Sequence, residues 1–233
     1  MAVKVAIMQP YLFPYIGYFQ LIAAVDKFIF YDDVNYIKGG WINRNRILIN
    51  NVPNYITVPL SGASSSKLIN EVEIGGGVNK ILTSIRMSYR KAPFFEEVFP
   101  LIEECLNVGG SRRISDLAIR SVVGVSNYLQ LETKFEASSQ MYAETKGLER
   151  SERIIAICTQ NAASNYINAL GGAELYDKDY FLSHKIKLNF LKSNFTPYRQ
   201  FTDEFVAGLS IIDVLMFRSR KDISRMLTDY LLV

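Results

Sequence analysis

The chain has 233 residues, with 26 basic against 23 acidic side chains and a net charge of +3. Hydrophobic residues make up 49% and charged residues 21%, the balance of an ordinary globular protein. These figures exclude a disordered chain, a collagen-like chain, a disulfide scaffold and a polybasic nucleic-acid binder, and a chain this long can bury a full core without metals or disulfides.

Residues 3–8, with Val3, Val5 and Ile7, are short and apolar and predict a buried strand. Gln9-Pro10 breaks it. Residues 11–25 are apolar enough to resemble a signal peptide. Pro10, Pro14, Gly17 and Gln20 interrupt that pattern, Lys4 is the one basic residue before it, and Asp26-Lys27 follows at once, so the segment reads as mature structure. Residues 17–25 predict a short helix, and residues 27–31 a second buried strand that ends on Asp32-Asp33. Strand, loop, helix and strand within about 30 residues match one βαβ unit. Residues 35–45 read as a polar loop. Residues 47–49 and 55–60 predict a hairpin across 50–54.

The middle of the chain predicts three helices. Val78, Ile81, Leu82, Ile85 and Tyr89 share one face at helical spacing, as do Phe95, Val98, Phe99, Ile102 and Leu106, and again Ile114, Leu117, Ala118, Ser121, Val122 and Val125. Pro93 and Gly109-Gly110 separate them. Residues 132–136 predict a strand, and Ser151 is the expected cap of a further helix. Residues 165–170 and 186–190 predict two more strands, 177–184 a short helix, Ser210 a capped helix start and 222–231 a closing helix. The order gives an α/β fold over residues 1–233. It has a mainly parallel sheet of Rossmann-like type, a helical subdomain or insertion at 78–131 and a C-terminal helix. No run reaches the roughly 20 apolar residues of a membrane span, so no membrane insertion and a cytoplasmic location are expected.

Ligands of open parallel sheets bind outside the carboxyl ends of the strands. The first predicted strand delivers Gln9 and Tyr11 there, and the second delivers Asp32, Asp33 and Asn35. The loop Lys38-Gly39-Gly40-Trp41-Ile42-Asn43-Arg44-Asn45 follows closely. Gly39-Gly40 allows close backbone approach or positive φ. Arg44 suits bidentate recognition of phosphate or carboxylate, and Trp41 or a tyrosine suits stacking on a base or sugar. Asn168 and Tyr176 lie near a later strand end and are expected on the far wall of the same cleft, with Asp213 facing it.

Other motifs carry less. Ser64-Ser65-Ser66-Lys67 lacks the spacing of a phosphate loop and reads as a turn, and Gly75-Gly76-Gly77 reads as a loop. Cys105 and Cys158 fall in apolar helical patterns and read as buried thiols. One histidine, His184, and two separated cysteines make no zinc site, and no metal ligand is expected. Tyr15-x-Gly17-Tyr18 stands where nucleotidylyltransferases of the HIGH type carry their histidine element. The placement hints at a related scaffold, but tyrosine supplies no imidazolium.

Residues 8–22, from Met8-Gln9-Pro10-Tyr11 to Gln20-Leu21-Ile22, resemble the opening of the bacterial WbqC-like family. So do Asp26-Lys27-Phe28-Ile29-Phe30-Tyr31-Asp32-Asp33-Val34 and the Lys38–Asn45 block. Tyr166-Ile167-Asn168 with Gly171-Gly172, Leu175-Tyr176-Asp177 and Leu209-Ser210-Ile211-Ile212-Asp213 extend the likeness to nearly the whole chain. The resemblance implies a place among surface-polysaccharide and O-antigen proteins, some of which are labelled glycine transferases acting on an amino sugar. It assigns no catalytic residue. The resulting expectation is a transferase that acylates a nucleotide-linked amino sugar. Arg44 and Lys38 would hold the diphosphate, Asp32 or Asp33 would accept a proton from the amine, and asparagine or backbone amides would stabilise the oxyanion. The donor would be an activated amino acid or acyl group. A nucleotide-dependent ligase or nucleotidyltransferase, with ATP and magnesium held by Asp32 or Asp33, is the second expectation, and a non-catalytic binding protein the third. Expected partners are a nucleotide sugar and no nucleic acid, with a homodimer left open.

Overall fold

A computed structural model describes residues 2–107 and 109–233. The first strand, β1 (Val3–Met8), runs into a loop and then α1 (Ile16–Ala23), which returns the chain to β2 (Lys27–Phe30). β3 (Arg44–Ile49) and β4 (Val52–Thr57) form a separate antiparallel hairpin, and β5 (Leu60–Ser61) pairs with β6 (Glu73–Ile74). Three helices follow: α2 (Val78–Tyr89), α3 (Phe95–Leu106) and α4 (Ile114–Tyr128). The chain then re-enters the main sheet as β7 (Lys134–Ala137) and turns through α5 (Ser138–Met141) into α6 (Arg150–Gln160). β8 (Ala163–Ala169), α7 (Lys178–Ser183) and β9 (Lys187–Ser193) come next. α8 (Ile211–Phe217), α9 (Arg220–Met226) and β10 (Tyr230–Leu232) close the chain.

The main sheet has the order β10-β9-β8-β1-β2-β7, and every neighbouring pair is parallel except β9 with β10. From β1 the chain builds outward to β2 and β7, then returns to the other side of β1 for β8 and β9. This is a Rossmann-like α/β arrangement, and the reversal between β1 and β8 is its topological switch point. Helices cover both faces. α1 to α4, α8 and α9 share one apolar cluster with Ala6, Phe28 and Phe30. α6 and α7 share a second with Val5, Ile7, Ile29 and Tyr166. Two-residue alternation along β1 and β2 divides these side chains between the faces. No helix among the described residues is long and apolar enough to cross a membrane.

Three local expectations need correction. The hairpin expected across 50–54 turns at Asn50-Asn51, with φ of 51° and 62°, so its strands begin earlier, and Arg44 and Asn45 belong to β3 instead of a loop. Asparagine tolerates that left-handed pair, which matches strand twist. α6 begins at Arg150 behind Glu149, with no side-chain cap from Ser151. The closing segment 222–231 is helical only to Met226. Leu231 then pairs with Lys192 across β9, because the open edge of β9 supplies the ladder partners a lone strand lacks.

Candidate functional site

A cavity of about 1130 Å³ opens at the carboxyl edge of the sheet, over the switch point. β1 contributes Met8 and leads into Gln9. β2 leads into Tyr31 and Asp33, and β8 contributes Asn168 and Ala169. The 3₁₀ turn Leu170–Leu175 adds Gly171 and Gly172, and Tyr176 follows it. β3 adds Asn45 and Arg46, while Lys146 and Leu148 precede α6, which adds Arg150 and Arg153. The space exceeds the roughly 300–1,000 Å³ of a pocket for one drug-sized ligand.

The loop after β1 is held rigidly. Phe13 adopts a φ of +39°, a costly conformation for a bulky residue. Its N–H donates to Ser121 Oγ at 2.9 Å, and its carbonyl accepts from Asn45 Nδ2 at 2.9 Å and from Ser210 Oγ at 2.7 Å. Asn45 Nδ2 also reaches the Leu12 carbonyl at 3.1 Å, and Leu12 N–H donates to the Trp41 carbonyl at 3.0 Å. The Tyr18 hydroxyl donates to the Gln9 carbonyl at 2.8 Å. These bonds span distant parts of the chain and fix where Gln9 and Tyr11 stand.

The two aspartates have different surroundings. Asp32 Oδ1 accepts from the Ser139 N–H at 3.0 Å and from Ser138 Oγ at 3.2 Å, and its Oδ2 accepts from Ser139 Oγ at 2.6 Å. It fastens the start of α5 to the end of β2 and does not line the cavity. Asp33 does line it. Its Oδ2 accepts from Arg153 Nη2 at 2.6 Å, with both side chains about 5% exposed or less. Its Oδ1 accepts from Ser138 Oγ at 2.5 Å. Arg153 also donates from Nε to Thr145 Oγ1 at 3.0 Å and lies 4.8 Å from the Tyr31 ring centre.

Among the described residues, four basic side chains line the cavity, Arg46, Lys146, Arg150 and Arg153, against the single carboxylate of Asp33. Arg153 balances Asp33, which leaves three cations with no acidic partner in salt-bridge reach among the described residues. Arg46 reaches the Gly208 carbonyl at 3.4 Å, and its buried Nε has no partner. Aromatic rings supply much of the rest of the wall: Tyr11, Tyr15, Tyr18, Tyr31, Tyr176 and Trp41. Burial pushes the phenols of Tyr11, Tyr15, Tyr31 and Tyr176 above the ordinary tyrosine value, so they remain neutral donors near pH 7. A cationic, aromatic-lined space suits an anionic ligand with a flat apolar part.

Of the residues expected from sequence, the cavity wall gathers Gln9, Tyr11, Asp33, Asn35, Trp41, Asn168 and Tyr176. It does not include Asp32, Lys38, Asn43 or Arg44. Lys38 is exposed. Asn43 is buried, donating to the Val58 carbonyl and accepting from the Tyr36 hydroxyl, both at 2.9 Å. Arg44 donates to the carbonyls of Gly39 and Gly40 and lies 4.4 Å from the Tyr55 ring centre, so it closes its own loop. Asp213 lies away from the cavity, with Oδ2 accepting from Tyr89 at 2.8 Å and Oδ1 from Tyr198 and Gln200, both at 2.7 Å. His184 is exposed at the end of α7. Both thiols are buried, and burial pushes each up to about 12. Among the described residues, no three His, Cys, Asp or Glu side chains gather as a metal site would need.

Sequence reasoning missed Arg46, Lys146, Arg150, Arg153 and Tyr31. Signals for two of them were present. Arg46 alternates with Arg44 on one strand face. Arg153 sits four residues before Ile157 on the apolar face of its helix, where a charge demands a buried partner.

No solved structure matches the chain. An uncharacterized protein of Mycobacterium tuberculosis is 31% identical over 217 residues, which cover 91% of this chain and 92% of that protein. A family match runs over residues 9–225 and takes in the cavity wall from Gln9 to Gly208. The chain therefore belongs to the WbqC-like protein family.

Proposed function

We propose that the chain is a transferase that acylates the amine of a nucleotide-linked amino sugar in surface-polysaccharide synthesis. The observation that carries this reading is the excess of arginine and lysine in an aromatic-walled cavity at the switch point. Arg46, Lys146 and Arg150 bind the diphosphate, the role expected from sequence for Lys38 and Arg44. Trp41, about a third exposed and 6.1 Å centre to centre from Tyr55, stacks on the base. Asp33 is the carboxylate that faces the sugar amine. The nitrogen bonds to the carbonyl carbon of an activated acyl or aminoacyl donor, the bond from that carbon to the leaving group breaks, and the surplus amine proton passes to Asp33.

Thermal shift tests the reading against UDP- and dTDP-linked amino sugars, ATP and CTP, with and without magnesium. A ligand at 100 times its dissociation constant adds about 2.7 kcal/mol to stability. A shift with a nucleotide amino sugar that needs no magnesium is expected. A shift confined to ATP or CTP with magnesium refutes the proposal in favour of nucleotidyl transfer. Silence across the panel refutes it in favour of a partner-binding protein.

A further inference from the structure

Two carboxamides line the same cavity. Gln9 follows the end of β1, and Asn168 sits at the end of the adjacent parallel strand β8. The register pairs Val5 with Tyr166, so two-residue alternation sends Gln9 and Asn168 to the same face, the one covered by α6 and α7. Asn168 is only 5% exposed. Its Oδ1 accepts the Ala169 N–H at 2.8 Å, which fixes the amide plane. No protein acceptor meets its Nδ2 among the described residues, and the Gln9 side chain makes no hydrogen bond there either. The Asn168 amide therefore presents a donor of fixed plane at the cavity wall, able to meet a ligand oxygen.

A glycine guards this arrangement. A Cβ at Gly172 would stand 2.5 Å from Asn168 Nδ2, closer than any real contact. The obstructing atom is the end of a side chain, so a larger residue at 172 would displace the amide and leave the backbone in place.

The geometry points to Asn168 Nδ2 and Gln9 Nε2 as a paired donor site for the acyl oxygen of the substrate, with Gly172 as a positioning residue; this rests on the acyl-transfer reading above. As the sugar nitrogen bonds to the carbonyl carbon, the π electron pair moves onto the oxygen and the two amides stabilise it. When the leaving group departs with its bonding pair the C=O bond re-forms, and the same oxygen becomes the amide oxygen of the product. Neutral amides match an oxygen whose charge is transient, whereas the permanent charge of the diphosphate faces the arginines.

The test needs no turnover. Matched UDP- and dTDP-linked 2-amino sugars, with a free amine or an N-acetyl group, are titrated calorimetrically into wild type, Asn168→Ala and Gly172→Ala. Both variants are expected to weaken the N-acetyl ligands about threefold to tenfold, the value of one neutral hydrogen bond, and the free amines less than twofold. Gly172→Ala keeps every donor and guards against a folding defect in Asn168→Ala. Unchanged N-acetyl affinity, or equal weakening of both ligand forms, overturns the subsite and leaves the proposed function standing. Failure of wild type to bind either form overturns both.

Discussion

Removing the charge of Asp33 should destabilise the protein far more than an ordinary polar substitution. Asp33 and Arg153 meet at 2.6 Å with side chains 4% and 5% exposed. Asp33→Asn preserves shape and can still accept from Ser138, but it strands the guanidinium beside Thr145 and the Tyr31 ring. Breaking a buried pair from one side costs about 3–5 kcal/mol. At about 2–4 °C per kcal/mol for a chain of this length, Tm should fall by about 6 °C or more. Adding Arg153→Met removes the stranded charge, and the double variant should regain at least half of the loss. Urea unfolding followed by circular dichroism measures each step. A loss below about 1 kcal/mol in Asp33→Asn, or a double variant whose losses simply add, would refute the reasoning.

Other consequences follow from packing and titration. A Cβ at Gly17 would lie 2.2 Å from Ser193 Oγ and 2.3 Å from the Tyr15 ring, so Gly17→Ala should cost about 1–3 kcal/mol in urea unfolding; wild-type stability would show that α1 approaches β9 less closely. Burial raises the carboxyl of Asp213 above its unfolded value near 3.9. The folded state therefore holds that proton more tightly, and the stability Asp213 confers when protonated is lost as pH rises from about 3.9 through the folded value. The stability of wild type relative to Asp213→Asn should fall across that window in a pH series of urea titrations, and a flat or rising difference would contradict it. Cys105 and Cys158 should resist an aromatic disulfide reagent at pH 8 in the native protein and react after unfolding. Rapid native labelling of either would place it at the surface.

The fold was legible wherever local pattern and final environment agree. Val3 to Met8, the apolar α1 and Lys27 to Phe30 carry their partners within 30 residues. The three middle helices show one apolar face each, as burial requires. The end of the chain was not legible, because Tyr230 to Leu232 become a strand only through Leu191 to Ser193. The site divides in the same way. Gln9, Asp33 and Asn168 follow from the rule that ligands sit at strand ends. Arg44 looked like a phosphate ligand because the motif does not show that its side chain folds back on the carbonyls of Gly39 and Gly40, nor that Tyr55 on the next strand lies beside it. Arg150 and Arg153 come from a helix more than 100 residues away from Gln9, and only the sheet order brings them to the switch point.

The most direct measurement is calorimetric binding of a nucleotide-linked amino sugar to wild type, Arg46→Met, Arg150→Met and Arg44→Met. Each charge-assisted hydrogen bond to phosphate is worth about 1.5–3 kcal/mol. Affinity should therefore fall by about tenfold or more in Arg46→Met and Arg150→Met, and by less than twofold in Arg44→Met. Loss in Arg44→Met with Arg46 and Arg150 indifferent would place the anion on the Gly39-Gly40 loop and contradict the cavity as the binding site.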